Sequence, residues 1–171
     1  MEETQPFNQS IEMNPEPPKQ DLITPEDKER FFKSILANTP YEETISLFDG
    51  QMKVRFRAMS VKENNDVVEQ IIQDKKNGMA ADNDAYFITI STYRLATSLV
   101  SIDDKEYSSV TKDNFSETAE KDTYILARAR PMQAWATPKL SLFLDAFQKF
   151  EAKLVKLTNE VQTANFWKAS A

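Results

Sequence analysis

The chain of 171 residues contains no cysteine, no histidine and only two glycines, Gly50 and Gly78. Without cysteine there is no disulfide, no thiol nucleophile, no thiolate zinc site and no cysteine-bound iron–sulfur cluster. Without histidine the usual general base, transition-metal ligand and triad imidazole are missing. Two isolated glycines form neither a Gly-rich phosphate loop nor a GxGxxG motif. No apolar run reaches the ~18 to 20 residues of a transmembrane helix. Met1-Glu2-Glu3 offers no basic n-region and no apolar h-region, so no signal peptide is expected. With 21 basic and 27 acidic side chains, the net charge of -6 lacks the cation excess that wraps nucleic acid. These absences predict a soluble, intracellular protein that is not an enzyme. No cofactor, no metal ion, no nucleic-acid partner and no membrane is expected. The acid excess keeps one related role open, mimicry of nucleic acid to capture its partners.

Paired carboxylates are the catalytic chemistry that remains. Asp103-Asp104 and the pair Asp82 and Asp84 are the candidates. Adjacent acids on a solvated turn point apart, so neither is expected to gain the raised pKa of a general acid. Asp82-Asn83-Asp84 has the opening of a calcium loop without the glycine at position six or the glutamate at position twelve, so that site is rejected.

Five of the eight prolines lie within residues 1–25: Pro6, Pro15, Pro17, Pro18 and Pro25. Glu2, Glu3, Glu12, Glu16 and Asp21 against Lys19 give residues 1–24 a charge of -4, leaving -2 for the remainder. Proline removes amide donors and like charges repel, so this stretch is expected to be an extended acidic arm on a single α+β domain spanning 25–171. Phe7, Ile11 and Met13 are its sizeable apolar residues before Leu22. A solvated tail and an arm that orders against a partner are both compatible with that composition.

Thr24-Pro25-Glu26-Asp27 has the composition of a helix start, and Phe31, Phe32, Ile35 and Leu36 form an apolar stripe ending near Asn38. The strongest strand signal follows. Thr44 to Phe48 and Gln51 to Arg57 flank Asp49-Gly50, a pair suited to a two-residue type I′ hairpin loop. That register sets Leu47 against Met52 and Ile45 against Val54 on the inner face. Outside, Glu42 meets Arg57, Thr44 meets Arg55 and Ser46 meets Lys53. Lys53, Arg55 and Arg57 then make a basic ridge, either plain solvated surface or a contact for an acidic partner or the acidic arm. Ser60, with Glu63 in the capping-box position, predicts a helix over 61–77 that buries Val61, Val67, Val68, Ile71 and Ile72 and ends at Gly78. Residues 85–100 carry both strand and helix signals, and their length favours helix. Asp103-Asp104-Lys105 is read as a turn between two very short strands. A helix is expected over about 116–135, kinked or ended by Pro131. The last helix starts at Thr137-Pro138. Leu140, Phe143, Phe147, Phe150, Leu154, Leu157 and Val161 form an a/d heptad row. That row either packs inside the domain or provides a homo-oligomer seam through 138–161. Phe166 and Trp167 follow, as a lid on the core or as a binding anchor. The expected architecture is α+β and mostly helical, one β-hairpin packed on a helical bundle with an extended N-terminal arm.

Pro40-Tyr41-Glu42-Glu43-Thr44, Leu47-Phe48-Asp49-Gly50, Val54-Arg55-Phe56-Arg57 and Met59-Ser60-Val61-Lys62-Glu63-Asn64 occur in that order. Together with Leu95 to Asp103 and the terminal Phe166-Trp167, they resemble small tail-assembly chaperones and baseplate-hub assembly proteins of tailed bacteriophages. The resemblance covers roughly residues 31–167 through short motifs, and the Pro-rich acidic arm departs from it. It implies a non-enzymatic component of virion morphogenesis, whose partners are other virion or tail proteins, in the host cytoplasm or in the virion itself. A permanent minor part of the baseplate, neck or tail is the alternative within that class. The partner-binding candidates are Phe7, Ile11 and Met13 on the arm, Arg55 and Arg57 on the hairpin, and Phe166 and Trp167 at the C-terminal end.

Overall fold

A computed structural model describes residues 23–79, 84–112, 114–115 and 123–163. The fold is α+β and mostly helical. The described elements are α1 (Pro25–Ala37), β1 (Glu42–Leu47), β2 (Met52–Arg57), α2 (Val61–Lys76), α3 (Asp84–Ser98), β3 (Leu99–Ile102), β4 (Lys105–Glu106), α4 (Tyr124–Gln133) and α5 (Thr137–Val161).

Local sequence signals fix most of the boundaries. Thr24 and Asp27 exchange side-chain-to-backbone hydrogen bonds as a capping box, Pro25 opens α1, and Asn38 closes it in the left-handed conformation at φ 52°. Of the expected apolar stripe on α1, Phe31 is buried, whereas Ile35 and Leu36 face outward. Ser60 and Glu63 form the second capping box at the head of α2, and Gly78 follows its end with φ +100°.

The hairpin has the expected register, from Glu42 opposite Arg57 to Leu47 opposite Met52. Its loop is wider than two residues. Phe48 as well as Asp49 and Gly50 takes positive φ, so the connection runs over Phe48–Gln51. A backbone turned left-handed at Phe48 cannot continue the ladder. The hairpin is also not alone. β3 pairs antiparallel with β2, β4 pairs with β3, and the sheet order is β1-β2-β3-β4. Asp103 and Asp104, both at positive φ, turn the chain between β3 and β4. Leu99 pairs with Phe56 while Ser101 pairs with Arg55, so Val100 is an inserted residue that bends β3.

Residues 85–100 are helical up to Ser98, and β3 begins at the next residue. α4 begins at Tyr124, capped by Thr123, and passes through Pro131 to end at Gln133. Proline is accepted there because it lies in the final turn, where one missing amide bond does not interrupt a longer helix. The expected start near 116 falls on residues 116–122, outside the described residues.

α5 carries the core. Phe143, Phe147, Phe150 and Leu157 are buried within this chain, so the heptad row is consumed inside the fold. Phe147 and Phe150 each lie 5.7 Å from the Phe56 ring on β2, and Tyr41 stacks on Phe150 at 6.4 Å. The inner face of the sheet therefore packs on α5, with Leu95, Leu99, Ile125 and Met132 completing the core from α3, β3 and α4.

α2 differs from the expectation. Val67 is buried as expected, but Val61, Val68 and Ile72 are 80%, 47% and 45% exposed, and the helix buries Glu63 and Gln70 in their place. The physical reason is that its inward neighbours are polar. Glu63 meets Arg57, Gln70 accepts from the Thr123 hydroxyl at 2.5 Å, and Asp74 accepts from the Tyr93 hydroxyl at 2.7 Å.

Candidate functional site

Of the residues expected to bind partners, Phe7, Ile11, Met13, Phe166 and Trp167 lie outside the described residues. Arg55 sits on the outer face of β2, about half exposed, with Glu42 at 3.7 Å. Arg57 does not join it on a solvated ridge. Its guanidinium turns toward α2 and donates two bonds to Glu63, at 2.9 and 2.5 Å. The outer face of the hairpin is left with Lys53 and Arg55 as its exposed cations.

One polar cluster ties the start of α1 to the sheet. The Lys153 ammonium on α5 lies 3.0 Å from Asp27 and 2.8 Å from Glu43 on β1. Tyr41 donates to Glu43, and Arg30 donates to both Asp27 and Tyr41. Burial pushes the Asp27 carboxyl up, but bonds from the Thr24 amide, Lys153 and the Thr24 hydroxyl outweigh it and hold the group at about 2. Nearby, Lys28 on α1 pairs with Glu160 in the last turn of α5 at 2.5 Å. The start of α1, just after Ile23, and the end of α5, just before Thr163, are thus joined to each other.

A second cluster sits under α2. Glu63 receives Arg57, the Ser60 amide and the Tyr124 hydroxyl. Burial would raise its carboxyl, yet Arg57 and the Ser60 amide bring it down to about 2. A carboxylate so stabilised is the reverse of a general acid, whose proton must be held near neutral pH. Arg128 on α4 forms a third cluster, donating to the carbonyls of Ala96, Leu99 and Val110 at 2.8, 2.7 and 2.6 Å. Sequence reasoning placed Arg57 on the outer ridge opposite Glu42, where the structure turns it to Glu63, and it missed Arg128. The only signal for Arg128 was its position in a helix otherwise rich in apolar residues.

Asp103, one of the two adjacent turn acids, accepts the Lys53 amide at 2.8 Å and serves the sheet. Asp82 and the side chain of Asp84 lie outside the described residues. Among the described residues no group of three or more acids is placed to hold a metal ion. No described helix is long and apolar enough to cross a membrane.

What the surface does carry is uncovered apolar area. Val61, Val68 and Ile72 are spaced by seven and four residues, which aligns them along one face of α2. Phe87 and Ile88 near the start of α3, and Phe48 at the hairpin tip, are each more than half exposed. A cleft of about 310 Å³ opens beside Val61 between α2, α3 and α5. Met59, Phe150 and Leu154 form its apolar wall, and Arg94 and Glu151 are bonded to each other across it. Such a surface suits a protein contact better than a small substrate, because its charged groups already satisfy one another. No protein-family model, curated protein or solved structure matches this chain.

Proposed function

We propose that the chain is a non-enzymatic protein–protein interaction component of tailed-phage virion morphogenesis, acting like a tail- or baseplate-assembly chaperone. The observation that carries the interaction role is α2, a helix that buries Glu63 and Gln70 and leaves Val61, Val68 and Ile72 in solvent. A folded domain gains nothing by exposing three aliphatic side chains in line, whereas a partner that covers them gains their burial. The phage setting is supported by the resemblance of residues 40–64 and 95–103 to assembly proteins. Arg55 on the open face of the hairpin adds charge that orients an incoming acidic surface. Phe7, Ile11 and Met13 on the arm and Phe166 and Trp167 at the C-terminal end supply further anchors. The partners are other virion or tail proteins, met in the host cytoplasm.

The test is mass spectrometry of purified particles alongside the infected lysate, with the chain and its Val61→Ser/Val68→Ser/Ile72→Ser variant. An assembly chaperone is recovered from lysate on one large virion protein, is absent from finished particles, and loses that partner in the variant. Recovery in particles at fixed copy number makes it instead a permanent part of the baseplate, neck or tail. Recovery on a host nuclease or polymerase would show a nucleic-acid mimic and sink the assembly reading.

A further inference from the structure

Among the described residues β1 is an edge strand, and none of them pairs with its outer side. The Ala58 amide donates to the Tyr41 carbonyl at 2.8 Å, which makes that opposed pair a hydrogen-bonded one. In an antiparallel ladder bonded pairs alternate, so Glu43, Ile45 and Leu47 bond to β2. The amides and carbonyls of Glu42, Thr44 and Ser46 therefore point away from the sheet. Among the described residues, none of the three makes a backbone hydrogen bond outside the β1–β2 ladder. An exposed edge of this kind pairs with whatever strand reaches it.

We propose that the occupant is this chain's own arm, with residues 11–14 adding antiparallel to β1 in the same molecule. Four observations point there. First, Phe7 to Asn14 is a stretch of eight residues without proline, bracketed by Pro6 and Pro15, and its apolar members Phe7, Ile11 and Met13 share one parity. That is the alternation of a strand with one face inward. Second, the chain enters the fold beside this edge, because Lys153 holds Asp27 in the first turn of α1 and Glu43 on β1 together. The nine steps from Asn14 to Ile23 span up to about 30 Å, ample to turn back along β1. Third, the register is complementary. Ile11 opposite Leu47 and Met13 opposite Ile45 continue the inner face, where both β1 partners are only half covered. Asn14 and Glu12 then face Thr44 and Ser46, and Ser46 is itself opposite Lys53 on β2, so the arm's acid extends toward an exposed cation. Pro15 falls opposite Glu43 and ends the ladder, leaving Glu43 to Lys153. Fourth, a second copy of β1 fits worse. Antiparallel self-pairing centred on Glu43, Thr44 or Ile45 places Glu43 against another Glu43, an isoleucine or a leucine. This inference goes beyond the assembly role and narrows it: Ile11 and Met13 then anchor the arm to its own β1, and of the arm's apolar residues Phe7 is the one left for an outside partner.

The experiment is amide hydrogen exchange by NMR on the full chain and on its Glu12→Pro variant, with Gln5→Pro as control. The full chain protects the Thr44 and Ser46 amides. Glu12→Pro removes an arm amide from the ladder and speeds exchange at both by about tenfold or more. The Ile45 amide, bonded to β2, keeps its rate and reports that the sheet is intact. Gln5→Pro changes nothing. Unprotected Thr44 and Ser46 in the full chain, or protection that Glu12→Pro leaves unaltered, overturns the proposal. So does protection that appears only as concentration rises and the mass doubles, which would give the edge to a second copy.

Discussion

Replacing Arg128 with methionine tests how the chain passes from helix to strand without a loop. α3 ends at Ser98 and β3 starts at Leu99, so the last carbonyls of the helix face a backbone that has already turned away. Arg128, 5% exposed, meets that deficit from 30 residues along the chain. Its guanidinium bonds the carbonyls of Ala96 and Leu99, and that of Val110 in the loop beyond β4. Tyr107 lies against it, with the ring centroid 5.6 Å from the guanidinium carbon, and returns a hydrogen bond to the Arg128 carbonyl at 2.7 Å. Burial lowers the pKa of the guanidinium, but an arginine starts too high to lose its proton at neutral pH. Methionine keeps the length and the apolar stem and removes every donor. Ala96 and Leu99 are fully buried, so water does not replace the lost bonds. Each orphaned carbonyl costs about 1–3 kcal/mol, so the two fully buried ones together cost about 2–6 kcal/mol. With a urea slope of ~2 kcal/mol per molar, the unfolding midpoint of Arg128→Met falls by about 2 M. Arg128→Lys keeps a charge but not the fork, and lies between the two. A midpoint for Arg128→Met within about 0.5 M of the parent would refute the reasoning. The junction would then be held by side-chain packing, with the carbonyls bonded elsewhere.

Acid should weaken the fold through two carboxyls. Asp27 and Glu63 both sit at about 2 in the folded chain, below the ordinary carboxylate range. Their contribution is therefore complete above that range and drains as pH falls from about 5 toward 2, about 2 kcal/mol for Asp27 and about 3 kcal/mol for Glu63. Urea midpoints across that window measure the loss, and Glu63→Gln should remove its own part of the slope. Leu157→Ala, a truncation at a fully buried heptad position, should cost about 2–5 kcal/mol by urea unfolding. Sedimentation of the same variant should show an unchanged oligomeric state, because the row packs inside the chain. Phe48→Gly should raise stability by about 0.5–1 kcal/mol, since a phenylalanine at φ 52° strains the hairpin tip and glycine does not. A loss of stability there would mean that the exposed ring packs more than it strains.

The elements legible in the sequence are those whose cause is local. Thr24 with Asp27, and Ser60 with Glu63, announce helix starts because donor and acceptor lie three residues apart. Asp49-Gly50 sets the hairpin register because the turn and its strands are contiguous. The heptad row of α5 is legible for the same reason, although only the fold shows that Phe56 and Tyr41 fill the seam. Widening the hairpin to four strands required β3, more than forty residues further on, and the abrupt α3–β3 junction required Arg128. Neither distance leaves a trace in a local pattern.

α2 shows why the candidate surface was hidden. Reading a helix by its apolar positions assumes that the inward neighbours are apolar, and for α5 they are. Around α2 they are Arg57, Tyr93, Thr123 and Tyr124, each bringing a polar atom that a valine could not satisfy. Glu63, Gln70 and Asp74 answer those atoms, so the polar row of α2 turns inward, and helix geometry then carries Val61, Val68 and Ile72 outward. The exposed row is thus forced by a polar interior that three other segments assemble, the end of β2, α3 and the start of α4. The physics that would judge those residues buried instead leaves their apolar area in solvent once their neighbours are known.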